Sequence, residues 1–121
     1  MMMMGKTLLA ASFVLAGAVA AHAHAQLESA NPRVGSVVSA APSVLTLNFS
    51  EAVEPAFSSV QVTDAGGRRV DGGKMRVDRG NPRQVQVPLQ ALAPGQYNVR
   101  WRVLSADTHK TEGSFGFEVR P

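Results

Sequence analysis

The chain has 121 residues, with twelve basic and nine acidic side chains, three histidines and no cysteine. Its net charge of +3 comes from arginines scattered among the acids, not from the clustered basic stripe with aromatic stacking partners that a nucleic-acid surface needs. Without thiols the chain has no disulfide framework, and the lack argues against structural zinc sites and blue-copper centres.

Residues 1–23 read as a secretory signal. Lys6 is the only positive charge ahead of an apolar run from Thr7 to Ala21. That run is about 15 residues, short of the roughly 20 that would span a bilayer. Ala21 and Ala23 occupy the −3 and −1 positions relative to His24, the small-residue pattern of a cleavage site. Cutting after Ala21 would instead release His22-Ala23-His24, and cutting after Ala25 would leave Gln26 first. The small-residue rule favours the cut before His24. The mature chain from His24 to Pro121 is then one domain with a single modest core. It has no second stretch of membrane-spanning length, so it is expected to be exported, not membrane-embedded, and monomeric.

Strand signals dominate from Val44 onward. Val44–Phe49 places Leu45, Leu47 and Phe49 on one face, and Ser58–Thr63 alternates in the same way. Gln84–Val87 alternates and runs on through Pro88 to Leu89. In the segment from Tyr97 to Val103, Tyr97, Val99, Trp101 and Val103 face in while Asn98, Arg100 and Arg102 face out. Phe115–Val119 closes the chain. A period of two predicts strands with one buried face. Gly, Pro, Asn and Asp clusters punctuate them at Asn31-Pro32, Ala41-Pro42, 64–67, 71–73, 80–82 and Pro94-Gly95. No helical period stands out, so about seven short strands predict an all-β antiparallel sandwich or barrel. Leu92-Ala93-Pro94-Gly95-Gln96-Tyr97 has the form of a tyrosine corner, and Trp101 reads as a core anchor.

The chemistry gathers at the two histidines of the mature chain. If the leader is cut before His24, the freed amine and the imidazole of that residue close one chelate ring. Asp107 and His109 lie two residues apart, and in an extended segment both side chains point to the same side. Three nitrogens and one oxygen suit the tetragonal geometry of Cu(II), and the Irving–Williams order favours copper for such a set. A Cu(I) site would gather several thioethers. Met75 is the only methionine outside the leader, and it reads as a surface or gap-filling residue. For a lone Asp-x-His the ordinary reading is a polar turn. The export signal and the position of His24 shift the balance towards a metal site.

The sequence resembles the CopC-type periplasmic copper-binding proteins, also called copper-resistance protein C, over essentially the whole mature chain. The resemblance is carried by residues 24–32, 47–53, 92–97, 99–107 and 109–115, in that order and spacing. It implies a seven-stranded Greek-key β-barrel or immunoglobulin-like sandwich. It implies one Cu(II) ion per chain held by His24, Asp107 and His109, and a periplasmic role alongside an inner-membrane copper transport protein. Two departures stand out. Many relatives carry Gly between the Asp and the His, where this chain has Thr108; an extended segment accommodates a β-branched residue there, so the site is expected to survive. Some relatives also carry a Met-rich Cu(I) loop, which this chain lacks.

The expected function is therefore a periplasmic Cu(II) carrier or buffer in copper homeostasis and resistance, not an enzyme. Two alternatives remain from the sequence. One is an oxidative mononuclear copper enzyme, which would need an aromatic sugar platform that Tyr97 and Trp101, both reading as buried, do not supply. The other is a metal-free β-sandwich interaction domain in which the histidines are incidental.

Overall fold

The computed structural model describes residues 25–121. The expected leader over 1–23, His22 and His24 lie outside the described residues. Eight strands form: β1 (Leu27–Asn31), β2 (Val37–Val38), β3 (Val44–Phe49), β4 (Ser59–Asp64), β5 (Arg76–Asp78), β6 (Asn81–Pro88), β7 (Gly95–Leu104) and β8 (Lys110–Val119). A 3-10 turn, Pro55–Phe57, precedes β4. The strands make two four-stranded sheets, ordered β1-β3-β6-β5 and β2-β8-β7-β4. The all-β sandwich expected from the alternation is the observed fold. Its eighth strand is the two-residue β2, which pairs with the end of β8 in the parallel sense, while the other strand pairs are antiparallel.

The inward faces are those the sequence pattern picked out. Leu45, Leu47 and Phe49 of β3 and Val85 and Val87 of β6 meet Val60, Val62, Val99, Trp101, Val103, Phe115 and Phe117 across the interface, all buried. Each such side chain removed from water contributes about 1.5–3 kcal/mol. Trp101 anchors one end of this core, its ring edge-on to Phe49 with centroids 5.2 Å apart. Tyr97 donates from Oη to the Ala93 carbonyl at 2.5 Å, which is the expected tyrosine corner at the other end. Met75 packs against the core as a gap-filler.

β8 starts at Lys110, five residues earlier than the apolar alternation from Phe115 suggested, and pairs with β7 along its whole length. The reason lies across the ladder. Gly113 is opposite Trp101, and a Cβ at Gly113 would come within 2.6 Å of the indole. The bulky partner sits on β7, so the matching half of β8 carries a glycine and polar residues and shows no apolar period.

This hairpin sets the position of the functional loop. Ser105–His109 joins β7 to β8 at the end of the sandwich where β3 finishes and β1 begins, since Phe49 pairs with Leu27.

Candidate metal centre

The loop that carries Asp107 and His109 is braced from below and from within. Val53 and Ser105 pair as an isolated antiparallel bridge. Ala106 N donates to the Ala52 carbonyl at 2.9 Å and Glu54 N to the Leu104 carbonyl at 2.9 Å. Inside the loop, Ser105 N donates to the His109 carbonyl at 2.9 Å, and Thr108 N to the Ser105 carbonyl at 2.9 Å. The chain therefore closes on itself within five residues.

Asp107-Thr108-His109 is a turn, which corrects the extended segment expected from the sequence. Thr108 has φ +70°, in the left-handed region. The hydrogen bonds that close Ser105 onto His109 leave no room for an extended path, and they hold a β-branched residue in a conformation its Cβ disfavours. The two side chains still meet. His109 Nδ1 lies 3.3 Å from Asp107 Oδ2, with 46% and 38% of the respective side chains exposed. The pair is open to solvent at the end of the sandwich.

Ser105, which the sequence offered only as part of the loop, organises this pair. Its hydroxyl donates to Asp107 Oδ1 in a short bond and lies 3.3 Å from His109 N, which donates to it. The Ser105 hydroxyl holds the Asp107 carboxyl below the usual carboxylate range against the smaller opposing effect of desolvation, with His109 adding to the lowering. The ionised form, the one that can ligate a cation, is thus favoured. A serine two residues ahead of an aspartate in a turn is the one sequence signal that could have flagged it.

The segment following His24 reaches the same end of the molecule. Ala25 is fully buried. Its carbonyl accepts a hydrogen bond from Thr111 Oγ1 at 2.8 Å. Gln26 and Ser50 bond to each other twice, Gln26 N to Ser50 Oγ at 2.8 Å and Ser50 N to the Gln26 carbonyl at 2.8 Å. The start of the described chain is thereby tied to β8 two residues beyond His109. Among the described residues no three His, Cys, Asp or Glu side chains gather closely enough to hold a metal. Asp107 and His109, two of the three expected ligands, make a two-donor pair among the described residues.

The family model of the CopC domain matches residues 27–120. The chain belongs to the CopC family. It is 39% identical over 99 residues to Protein YobA of Escherichia coli K12, covering 81% of this chain and 80% of that one. The crystal structure of CopC from Methylosinus trichosporium OB3b superposes with a TM-score of 0.76 at 37% identity, covering 81% of this chain and 95% of the other. PcoC, described as a methionine-rich copper resistance protein from Escherichia coli, superposes with a TM-score of 0.72 at 33% identity, covering 81% and 100%. Against that methionine-rich relative, this CopC-family chain has Met75 as its one methionine among the described residues.

Proposed function

We propose that the protein is exported, loses residues 1–23, and binds one Cu(II) ion per chain through the amine and imidazole of His24, the carboxylate of Asp107 and the imidazole of His109. It acts as a periplasmic carrier or buffer that holds the ion and passes it to an inner-membrane copper transport protein. It holds and releases the ion without chemical turnover.

The hydrogen bond from Thr111 to Ala25 carries this reading. One peptide unit, about 3.8 Å between Cα atoms, separates Ala25 from His24. Ala25 is held against β8 two residues past His109. The same observation bears on the cleavage site. Cutting after Ala25 would remove a fully buried residue and the acceptor of that bond, so the core supports a cut ahead of it. The donor set fits the ion as well. Nitrogen and carboxylate donors suit tetragonal Cu(II), while one half-buried thioether does not make a Cu(I) site.

Binding requires the nitrogens to be deprotonated. An unperturbed α-amine titrates near 8 and an imidazole near 6.5, so protons compete as pH falls. Asp107 is held below the usual carboxylate range and stays ionised over that interval. A loss of affinity between pH 7.5 and pH 5 therefore belongs to the nitrogens. Copper titration of the mature protein at the two pH values is expected to show at least roughly a hundredfold weaker binding at pH 5. Equal affinities would exclude an amine-plus-imidazole site. The mass of the exported protein fixes its first residue, and one alanine inserted ahead of His24 is expected to abolish tight binding.

A further inference from the structure

Ser105 is fully buried, with none of its surface exposed. Its backbone cannot shift easily: the amide is bonded to the His109 carbonyl, and the residue bridges to Val53. Its hydroxyl has a single proton to give. His109 N donates to Oγ at 3.3 Å, which uses an acceptor position; of the two acceptors in reach of the proton, the neutral His109 carbonyl lies at 3.2 Å, while Asp107 Oδ1 takes it in a shorter, charge-assisted bond. The other carboxylate oxygen, Oδ2, is the one beside the His109 ring, 3.3 Å from Nδ1.

We propose that Ser105 is a positioning residue that makes Asp107 a one-oxygen ligand, occupying Oδ1 so that Oδ2 alone is presented to the ion next to His109. The inference rests on the copper site proposed above and specifies how that site is built. A carboxylate free to swing can offer both oxygens, the mode used by larger oxygen-seeking cations such as Ca(II). A carboxylate with one oxygen hydrogen-bonded and its orientation fixed would offer the other oxygen as the better donor to a bound ion. The serine also links the two ligands mechanically. The hydroxyl that holds the Asp107 carboxylate is the one that receives the His109 amide, so one atom bonds both ligand residues.

Outer partners of metal ligands typically alter affinity by 10–100-fold when removed. The test is a double-mutant cycle with Ser105→Ala, Asp107→Ala and the double variant in the mature protein. Cu(II) affinity is read by competition with a chelator, and the copper electron paramagnetic resonance spectrum is recorded for each. Ser105→Ala is expected to weaken Cu(II) binding by 10–100-fold and to change the spectrum. In the Asp107→Ala background the same substitution is expected to change affinity less than twofold and leave the spectrum alone.

A loss of equal size in both backgrounds would overturn the proposal, because Ser105 would then act only by holding the loop. So would an unchanged affinity and spectrum in Ser105→Ala. If Asp107→Ala by itself leaves copper binding intact, the ligand set proposed above fails, and this inference fails with it. Ser105→Thr keeps the hydroxyl donor and guards against loss of fold in the alanine variant. Its affinity is expected to stay nearer to that of the wild-type protein than to that of Ser105→Ala. An affinity at or below that of the alanine variant, with the fold intact, would count against the proposal.

Discussion

Arg69-x-Asp71 and Asp107-x-His109 are acid–base pairs of the same sequence spacing, and they do opposite work. Asp71 lies with 9% of its side chain exposed and both of its oxygens bonded. Its Oδ1 accepts from Val62 N at 3.0 Å and from Arg69 Nε at 2.8 Å, while Oδ2 accepts from the Arg69 terminal nitrogen at 2.7 Å. That carboxylate is a clamp, fastening the segment after β4 back onto the strand. Asp107 has one oxygen taken by Ser105, while the other faces a half-exposed imidazole at a looser 3.3 Å. The spacing of the residues is the same. What separates a structural pair from a candidate ligand pair is how many oxygen lone pairs the fold has already used, and whether water, or an ion, can reach the remainder.

The comparison breaks if the two pairs are interchangeable, and the largest effects test that first. Asp107→Ala or His109→Ala is expected to lower Cu(II) affinity by two orders of magnitude or more, since each removes a proposed donor from a four-donor set. His109→Ala should leave thermal stability within about 0.5 kcal/mol, as for an ordinary exposed position, whereas Asp107→Ala also strips the buried Ser105 hydroxyl of its charged acceptor and should melt somewhat lower. Asp71→Ala should do the reverse, leaving copper affinity unchanged. It deprives the Val62 amide of its side-chain acceptor, at about 1–3 kcal/mol, a fall in melting temperature on the order of 10 °C for a domain of this size. Isothermal titration and thermal melts on the same three proteins settle the pattern. A copper defect in Asp71→Ala, or a cold-shifted melt in His109→Ala, would erase the distinction.

Acid sharpens the structural half of the comparison with a smaller effect. The hydrogen-bonded Arg69 guanidinium, helped by the Val62 amide, holds the Asp71 carboxyl below its usual range despite partial burial. A depressed folded-state value gives stability that is present above the unfolded carboxylate value, near 3.9. It is lost as pH falls through the lower folded value. Wild type and Asp71→Asn should therefore differ most in urea unfolding at pH 7 and converge towards pH 3. A gap that stays constant over this range would mean that the charge on Asp71 contributes nothing.

Much of this was legible in the sequence, and the limit is physical. Alternation in Tyr97–Val103 reports burial directly, because each side chain of a strand chooses one of two faces. The tyrosine corner is likewise local, with donor and acceptor four residues apart. Gly113 is not legible, because its smallness answers an indole on the neighbouring strand. Nor is the clamp at Asp71, whose partner amide is nine residues upstream, so that Asp71-Gly72-Gly73 reads simply as a turn. Ser105 falls in the same class. Serine in a turn is commonplace, and only the tertiary bridge to Val53 buries it.

Thr108 is the case where a local rule pointed the wrong way, and it offers the finest test. A β-branched residue favours extended backbone, yet the closure of Ser105 onto His109 imposes φ +70°. Left-handed backbone costs a residue with a Cβ about 1–2 kcal/mol, partly offset here by the Thr108 hydroxyl donating to the Asp107 carbonyl. Thr108→Gly removes the steric cost and adds about 0.5–1 kcal/mol of unfolded-chain entropy. The net expectation is a stability gain of up to about 1 kcal/mol, a rise of a few degrees in melting temperature, with copper affinity changed less than threefold. Thr108→Val keeps the branch, loses the hydroxyl bond and should melt below wild type. If glycine instead melts lower than threonine, the turn's shape is a preference of residue 108 itself. If the order is glycine, threonine, valine, the turn belongs to the hydrogen bonds around Ser105, and the residue between the two ligands merely tolerates it.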